Sequence, residues 1–189
     1  MKISEKIISV EAMENEKIEK LVQLGHDYYD GSNGREKDAH KAFELWLQAA
    51  NQGYAKAQQH VAFCYQWGLG TRKDGYQAVK WYQKAAAQDY PRALLDLGTF
   101  YEYDGYGLEK NTQETIRLWR KAAELGLKEA QFTLGNCYWY GTYLEADKNE
   151  AIKWYRKSAQ QLYSLAIERL NELNEWIFSE DELEEDYHK

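Results

Sequence analysis

A chain of 189 residues with 44% apolar residues has enough material for a packed core, which excludes wholesale disorder. No apolar run approaches the ~18 residues of a membrane helix, and the charge-broken start MKISEKIISVEAMENEK is not a secretory signal, so no membrane contact and a cytoplasmic location are expected. The formal charge is -7, but segment 179–189, SEDELEEDYHK, holds six acids and one lysine and so accounts for -5 of it; no basic stripe for nucleic acid is present.

One proline, seven Trp and sixteen Tyr predict helices held together by large aromatic side chains. In chain order, residues 1–19 are expected to form an N-terminal capping segment. A repeat array over 20–166 follows, with a period of 36 or 37 residues. Copies start near Lys20 (KLVQLGHDYYDG), at Ala57 (AQQHVAFCYQWG), at Ala93 (ALLDLGTFYEYDG) and at Ala130 (AQFTLGNCYWYG), with a truncated start at Ala166. A capping helix over 167–178 is expected to dock through Trp176 and Ile177, and 179–189 forms an acidic solvated tail.

Each copy predicts two helices. Leu24, Val61, Leu97 and Leu134 form the apolar spine of the first, and Gly25, Ala62, Gly98 and Gly135 keep its surface small for the close approach of another helix backbone. Tyr28, Tyr65, Tyr101 and Tyr138 follow on the same face. After a glycine-bearing loop, Asp38, Asp74, Asn111 and Asp147 stand at N-cap positions, with Gln77, Glu114 and Glu150 completing a capping-box pattern in three copies. The second helices carry Leu45-Trp46, Trp81-Tyr82, Leu118-Trp119 and Trp154-Tyr155, each followed by a small pair such as Ala85-Ala86. Gly53 and Gly126 are expected to stop the second helices, with Pro91 taking that role after Asp89. The pattern predicts an all-α protein, an α-solenoid of about four helix–loop–helix repeats with N- and C-terminal capping helices.

The spacing Ala-x3-Leu-Gly-x2-Tyr, a glycine loop, then Asp-x3-Ala-x2-Trp-Tyr-x2-Ala-Ala resembles the Sel-1-like repeat family, a branch of the tetratricopeptide-type helical repeats. Residues 57–86 match almost slot for slot, with Val61 and Ala62 in place of Leu and Gly, while Asp104 replaces a loop glycine in the next copy. The resemblance implies an adaptor or scaffold that binds proteins. In similar arrays the first helices line a concave face, which turns the slots two, six, nine and ten residues after each copy start inward. These supply Tyr29, Phe63, Gln66, Trp67, Glu102, Tyr103, Phe132, Asn136, Trp139 and Tyr140 as candidate partner-binding residues, joined by His26, Leu95 and Thr99. The tenth slot, Asp30, Trp67, Tyr103, Tyr140 and Trp176, is mostly aromatic, as recognition surfaces are. The alternative is that these rings pack on neighbouring loops or helices.

Candidate chemistry is sparse. His60 and Cys64 are four apart on one helix, yet no second pair stands at metal-ligand spacing, so neither metal nor cofactor is expected. GLGTRK at 68–73 lies between helices and lacks the spacing of a phosphate loop. Cys64 and Cys137 are separated by a whole copy, too far for a disulfide. The sharpest functional expectation is a non-catalytic module, monomeric when free, that captures a protein partner in an aromatic groove. A bacterial immunity protein neutralising a toxin and a regulatory adaptor fit this equally, the acidic balance suiting a basic toxin surface. Two other classes stand beside it: a hydrolase using His60, Cys64 or the acids Glu102 and Asp104, and self-assembly through solenoid ends.

Overall fold

The computed structural model describes residues 2–103 and 105–174, with side chains from Met13 onward. Asp104, Trp176, Ile177 and the acidic segment 179–189 lie outside the described residues, as does the expected capping helix beyond Asn174. Among the described residues every regular element is an α-helix: α1 (Lys2–Asp30), α2 (Ala39–Asn51), α3 (Ala55–Trp67), α4 (Gly75–Ala86), α5 (Pro91–Glu102), α6 (Thr112–Glu124), α7 (Lys128–Tyr140), α8 (Lys148–Gln160) and α9 (Ser164–Glu172). They form two compact units that divide after Asn111. In the first, α1 to α5 pack each on the next; in the second, α6 to α9 do so. From Lys2 onward the expected capping segment and the first helix of the array are one continuous helix, α1.

The loops are tied by one repeated bond. The N–H of each residue before a second helix donates to the carbonyl of the repeating tyrosine: Asp38 to Tyr28, Asp74 to Tyr65, Asn111 to Tyr101 and Asp147 to Tyr138, all at 2.8–3.0 Å. The aspartates then cap the helix that follows, each carboxylate accepting from the N–H three residues on: Lys41 at 2.9 Å, Gln77 at 3.1 Å and Glu150 at 3.0 Å. This is half of the expected capping box. The Glu150 side chain does not reach back but pairs with Lys153 at 2.9 Å, a neighbour on its own helix face.

Gly25 and Gly135 of the first helices each face an aromatic ring of the second helix, and Gly135 also faces that helix's backbone at the Ala151 carbonyl, 3.3 Å from where a Cβ would stand. A Cβ on Gly25 would collide with the Trp46 indole, and one on Gly135 would stand 2.6 Å from the Tyr155 ring. Pro91 departs from its expected role. It opens α5 as the first helical residue, where a missing N–H costs nothing. The turn before it is made by Asp89 at a φ of 57°, in the slot where Gly53 and Gly126 have φ near 90°.

The core is the facing surfaces of these helices. In the first unit it includes Trp46, Val61, Tyr82, Leu94 and Leu97, and in the second Trp119, Leu134, Tyr155 and Leu170, all buried. Burial of such side chains contributes about 1.5–3 kcal/mol each. The second unit's cluster of Ala151, Tyr155, Ala159, Ala166 and Leu170 draws Phe132, Trp139 and Tyr163 against it, so α9 docks on α8 through apolar contact.

Candidate functional site

Within the first unit α1, α3 and α5 are neighbours. The rings of His26 and His60 meet edge to face at 4.6 Å between α1 and α3, and Gln59 Nε2 donates to Asp96 Oδ2 at 3.2 Å between α3 and α5. Three of the candidate rings stand where these helices end. Tyr29 is the penultimate residue of α1, Trp67 the last of α3, and Tyr103 follows α5 in extended conformation. Trp67 and Tyr103 are 59% and 65% exposed, while Tyr29 leans on Trp46 at 5.6 Å between centroids and is 36% exposed. Phe63, one turn before Trp67, is half-buried with its ring 6.4 Å away. In the second unit Tyr140 ends α7 and is 60% exposed, with the Arg169 guanidinium 6.0 Å from its ring centroid.

The other candidates are drawn into packing. Gln66 Oε1 accepts the Tyr82 hydroxyl at 2.7 Å, and Asn136 Oδ1 accepts that of Tyr155 at 2.8 Å. Each satisfies the polar end of a ring whose body is fully buried, the arrangement a buried tyrosine requires. Phe132 lies between Tyr155 and Tyr163 at 5.5 and 5.6 Å. Trp139 is half-buried near Tyr155, with the Lys148 ammonium over its ring at 5.0 Å. Glu102 is half-buried at the end of α5. Among the slot-six residues His26 is half-buried and Thr99 is exposed, and slot-two Leu95 is half-buried. Exposed aromatic surface at the candidate positions is therefore concentrated in the tenth slot.

The electrostatics of the nearby titratable groups are those of packed helices. Burial pushes the Cys64 thiol up to about 12, so it holds its proton near neutral pH. Burial, with the like charges of His26 and Lys56, lowers His60 to about 3. Its Nε2 is buried without a hydrogen-bond partner, its ring pressed on Trp46 at 4.9 Å. These two groups therefore offer a neutral thiol and a neutral imidazole. Asp96, paired with Arg92 at 3.3 Å, is raised above the usual carboxylate range chiefly by burial. Among the described residues no group of three or more His, Cys, Asp or Glu is placed to hold a metal ion, both cysteines are buried and outside any disulfide, and no helix is long and apolar enough to cross a membrane.

Sequence reading missed a pair of glutamine clasps. Gln88 Nε2 donates to the Gly53 carbonyl and to Gln58 Oε1, both at 2.9 Å, while Gln58 Nε2 donates to the Ala50 carbonyl at 3.3 Å. In the second unit Gln161, Gly126, Gln131 and Ala123 repeat the same bonds at 2.8–3.1 Å. The signal was a double period: copies two and four share Gln58/Gln131, Cys64/Cys137 and Trp81-Tyr82/Trp154-Tyr155, whereas copies one and three share Leu45-Trp46/Leu118-Trp119.

The family model described as Sel1 repeat matches residues 21–54, 55–90, 91–127 and 128–161. A 134-residue stretch, 70% of the chain, is 34% identical to chitin synthase regulatory factor 3 of Schizosaccharomyces pombe and spans 14% of that protein. The crystal structure of a Sel1 repeat protein from Oxalobacter formigenes aligns with a TM-score of 0.71 and 32% identity, covering 79% of this chain and 60% of that one. The immunity protein Pa5087 from Pseudomonas aeruginosa aligns with a TM-score of 0.64 at 22% identity over 85% of this chain and 60% of its own, a likeness of fold. The helical repeats are thus those of an α-solenoid.

Proposed function

Because the chain belongs to the Sel1 repeat family, we propose that it is a non-catalytic scaffold that binds a protein partner through the tenth-slot rings of its first helices. The observation that carries this reading is the exposure of Trp67, Tyr103 and Tyr140, against full or nearly full burial of Trp81, Tyr82, Trp154 and Tyr155. Aromatic side chains left in water at the same slot of three copies do not serve the core. They are rigid, amphipathic anchors of the kind that dominate protein interfaces. Tyr29 and Phe63 extend this reading on the first unit, in which the protein is cytoplasmic and monomeric when free of its partner.

Two partner classes suit such a surface. A regulatory adaptor is favoured by the 34% identity to a chitin synthase regulatory factor, although the chain spans a small part of that protein, and this similarity supports the role rather than the target. An immunity protein that neutralises a toxin is the second reading, supported by the acidic balance of the chain, which suits a basic target. The test is capture from the source cell with the wild type and with a Trp67→Ala, Tyr140→Ala double variant, helical content being followed by circular dichroism. The reading expects one stoichiometric partner, lost in the variant with helicity unchanged. A regulated enzyme as that partner supports the adaptor, and a toxin supports immunity. Retention of the partner by the variant sinks the tenth-slot surface, and unfolding of the variant assigns the rings to the core.

A further inference from the structure

The loop that leaves α1 carries a reactive arrangement separate from the binding surface. The Ser32 carbonyl accepts the Arg35 N–H at 3.1 Å, and between them Asn33 and Gly34 have φ of 52° and 74°, a tight turn with both central residues left-handed. Both residues are exposed. Among the described residues the Gly34 N–H makes no hydrogen bond, and a Cβ built on Gly34 would meet nothing within 4 Å. No hydrogen bond has to break before the Gly34 nitrogen can react, and no neighbour crowds the side of Gly34 where a Cβ would stand. The other described asparagines, Asn15, Asn51, Asn111, Asn136, Asn149, Asn171 and Asn174, all precede larger residues, whose side chains obstruct closure of a ring on the following nitrogen.

We propose that Asn33 is a site of spontaneous deamidation, which adds a negative charge where α1 ends. Hydroxide removes the Gly34 amide proton, and the nitrogen attacks Cγ of Asn33. The Cγ–Nδ2 bond breaks, and Nδ2 leaves as ammonia with a proton from water, which regenerates hydroxide. The resulting succinimide is opened by one water at either carbonyl, giving an aspartyl or isoaspartyl residue at position 33. No oxidant or reductant enters: one water is consumed and one ammonia released.

The consequence follows from what Asn33 holds. Its Nδ2 donates to Asp27 Oδ1 at 2.9 Å, beside Gln23 Nε2 at 3.0 Å, while the Ser32 N–H donates to the Asp27 carbonyl at 2.9 Å. Asp27 is only 8% exposed, and its carboxyl lies below the usual range because Gln23 and then Asn33 hydrogen-bond the ionised form. Deamidation turns one of these donors into a second carboxylate facing the first. Like charges at that distance repel, and the loop is pushed off the end of α1.

The test ages the full chain at mildly alkaline pH beside a peptide spanning residues 28–38, with intact mass and peptide mapping as readouts. The expected result is a one-dalton gain in the full chain that maps to Asn33, shows both aspartyl and isoaspartyl products, quickens with rising pH and is absent from an Asn33→Ser variant. No gain in the folded chain while the peptide converts overturns the site, as does a gain that maps to another asparagine. Thermal melting of Asn33→Asp against Asn33→Ser tests the consequence. A lower midpoint for Asn33→Asp supports it, and equal midpoints overturn it.

Discussion

Leu162 occupies the slot of Gly53, Asp89 and Gly126 and must adopt the same left-handed turn, with a φ of 58° and 82% of its surface in water. In that conformation a branched side chain crowds its own backbone, at a cost of about 1–2 kcal/mol, part of which glycine returns through its freer unfolded chain. Leu162→Gly is therefore expected to stabilise the protein by about 0.5–1 kcal/mol in chemical denaturation. A loss of stability would mean that Leu162 makes a contact outweighing its strain. His60 provides a second residue-level test. Its folded pKa of about 3 lies below its ordinary value of 6.5. The unfolded chain thus binds a proton that the folded chain refuses, so the His60 contribution is complete above about 6.5 and is lost as pH falls through that window towards about 3. His60→Leu is expected to flatten the acid limb of a stability–pH curve over that range, and an unchanged limb would contradict the burial of the imidazole among His26, Trp46 and Lys56.

At the level of elements, the hairpins were legible because their signals are local. Asp38, Asp74 and Asp147 announce helix starts by a side chain that reaches only three residues along the chain, and they cap as expected. Pro91 was misread because proline marks a boundary from either side; only the turn at Asp89 shows that it opens a helix rather than ends one. The glutamine clasps were not legible for a different reason. Their partners are about thirty residues apart, and glutamine on a helix ordinarily reads as a solvated side chain, whereas Gln58 and Gln131 are buried here. The clasps should carry measurable stability. Gln88→Ala and Gln161→Ala each remove two hydrogen bonds and leave a glutamine oxygen and a backbone carbonyl to find new partners, and each is expected to cost about 1–2 kcal/mol. Substitution of exposed Gln52, whose side-chain amide bonds the Gln48 carbonyl one turn back, should cost markedly less. Equal effects would show the clasps to be incidental.

For the molecule as a whole, the repeat gives each helix a counterpart and so separates what the fold needs from what it does not. The candidate surface was only partly legible in the sequence. Slot arithmetic located Trp67, Tyr103 and Tyr140, whose rings remain in water. It could not distinguish them from Gln66 in slot nine and Asn136 in slot six, which spend their oxygens on the hydroxyls of Tyr82 and Tyr155. That division depends on where a tyrosine of the following helix ends, a long-range matter that helical periodicity does not encode. It also concentrates the proposed recognition into few side chains, as protein interfaces commonly do.

The most direct test is titration of the captured partner against single Trp67→Ala, Tyr103→Ala and Tyr140→Ala variants, with Tyr76→Ala as a control that is equally exposed but outside the slot. The account predicts a loss of affinity of about thirty-fold or more for at least Trp67→Ala, corresponding to about 2 kcal/mol, with smaller losses at the two tyrosines and none at Tyr76. Unchanged affinity in all three slot variants, or a loss at Tyr76 equal to that at Trp67, would contradict it.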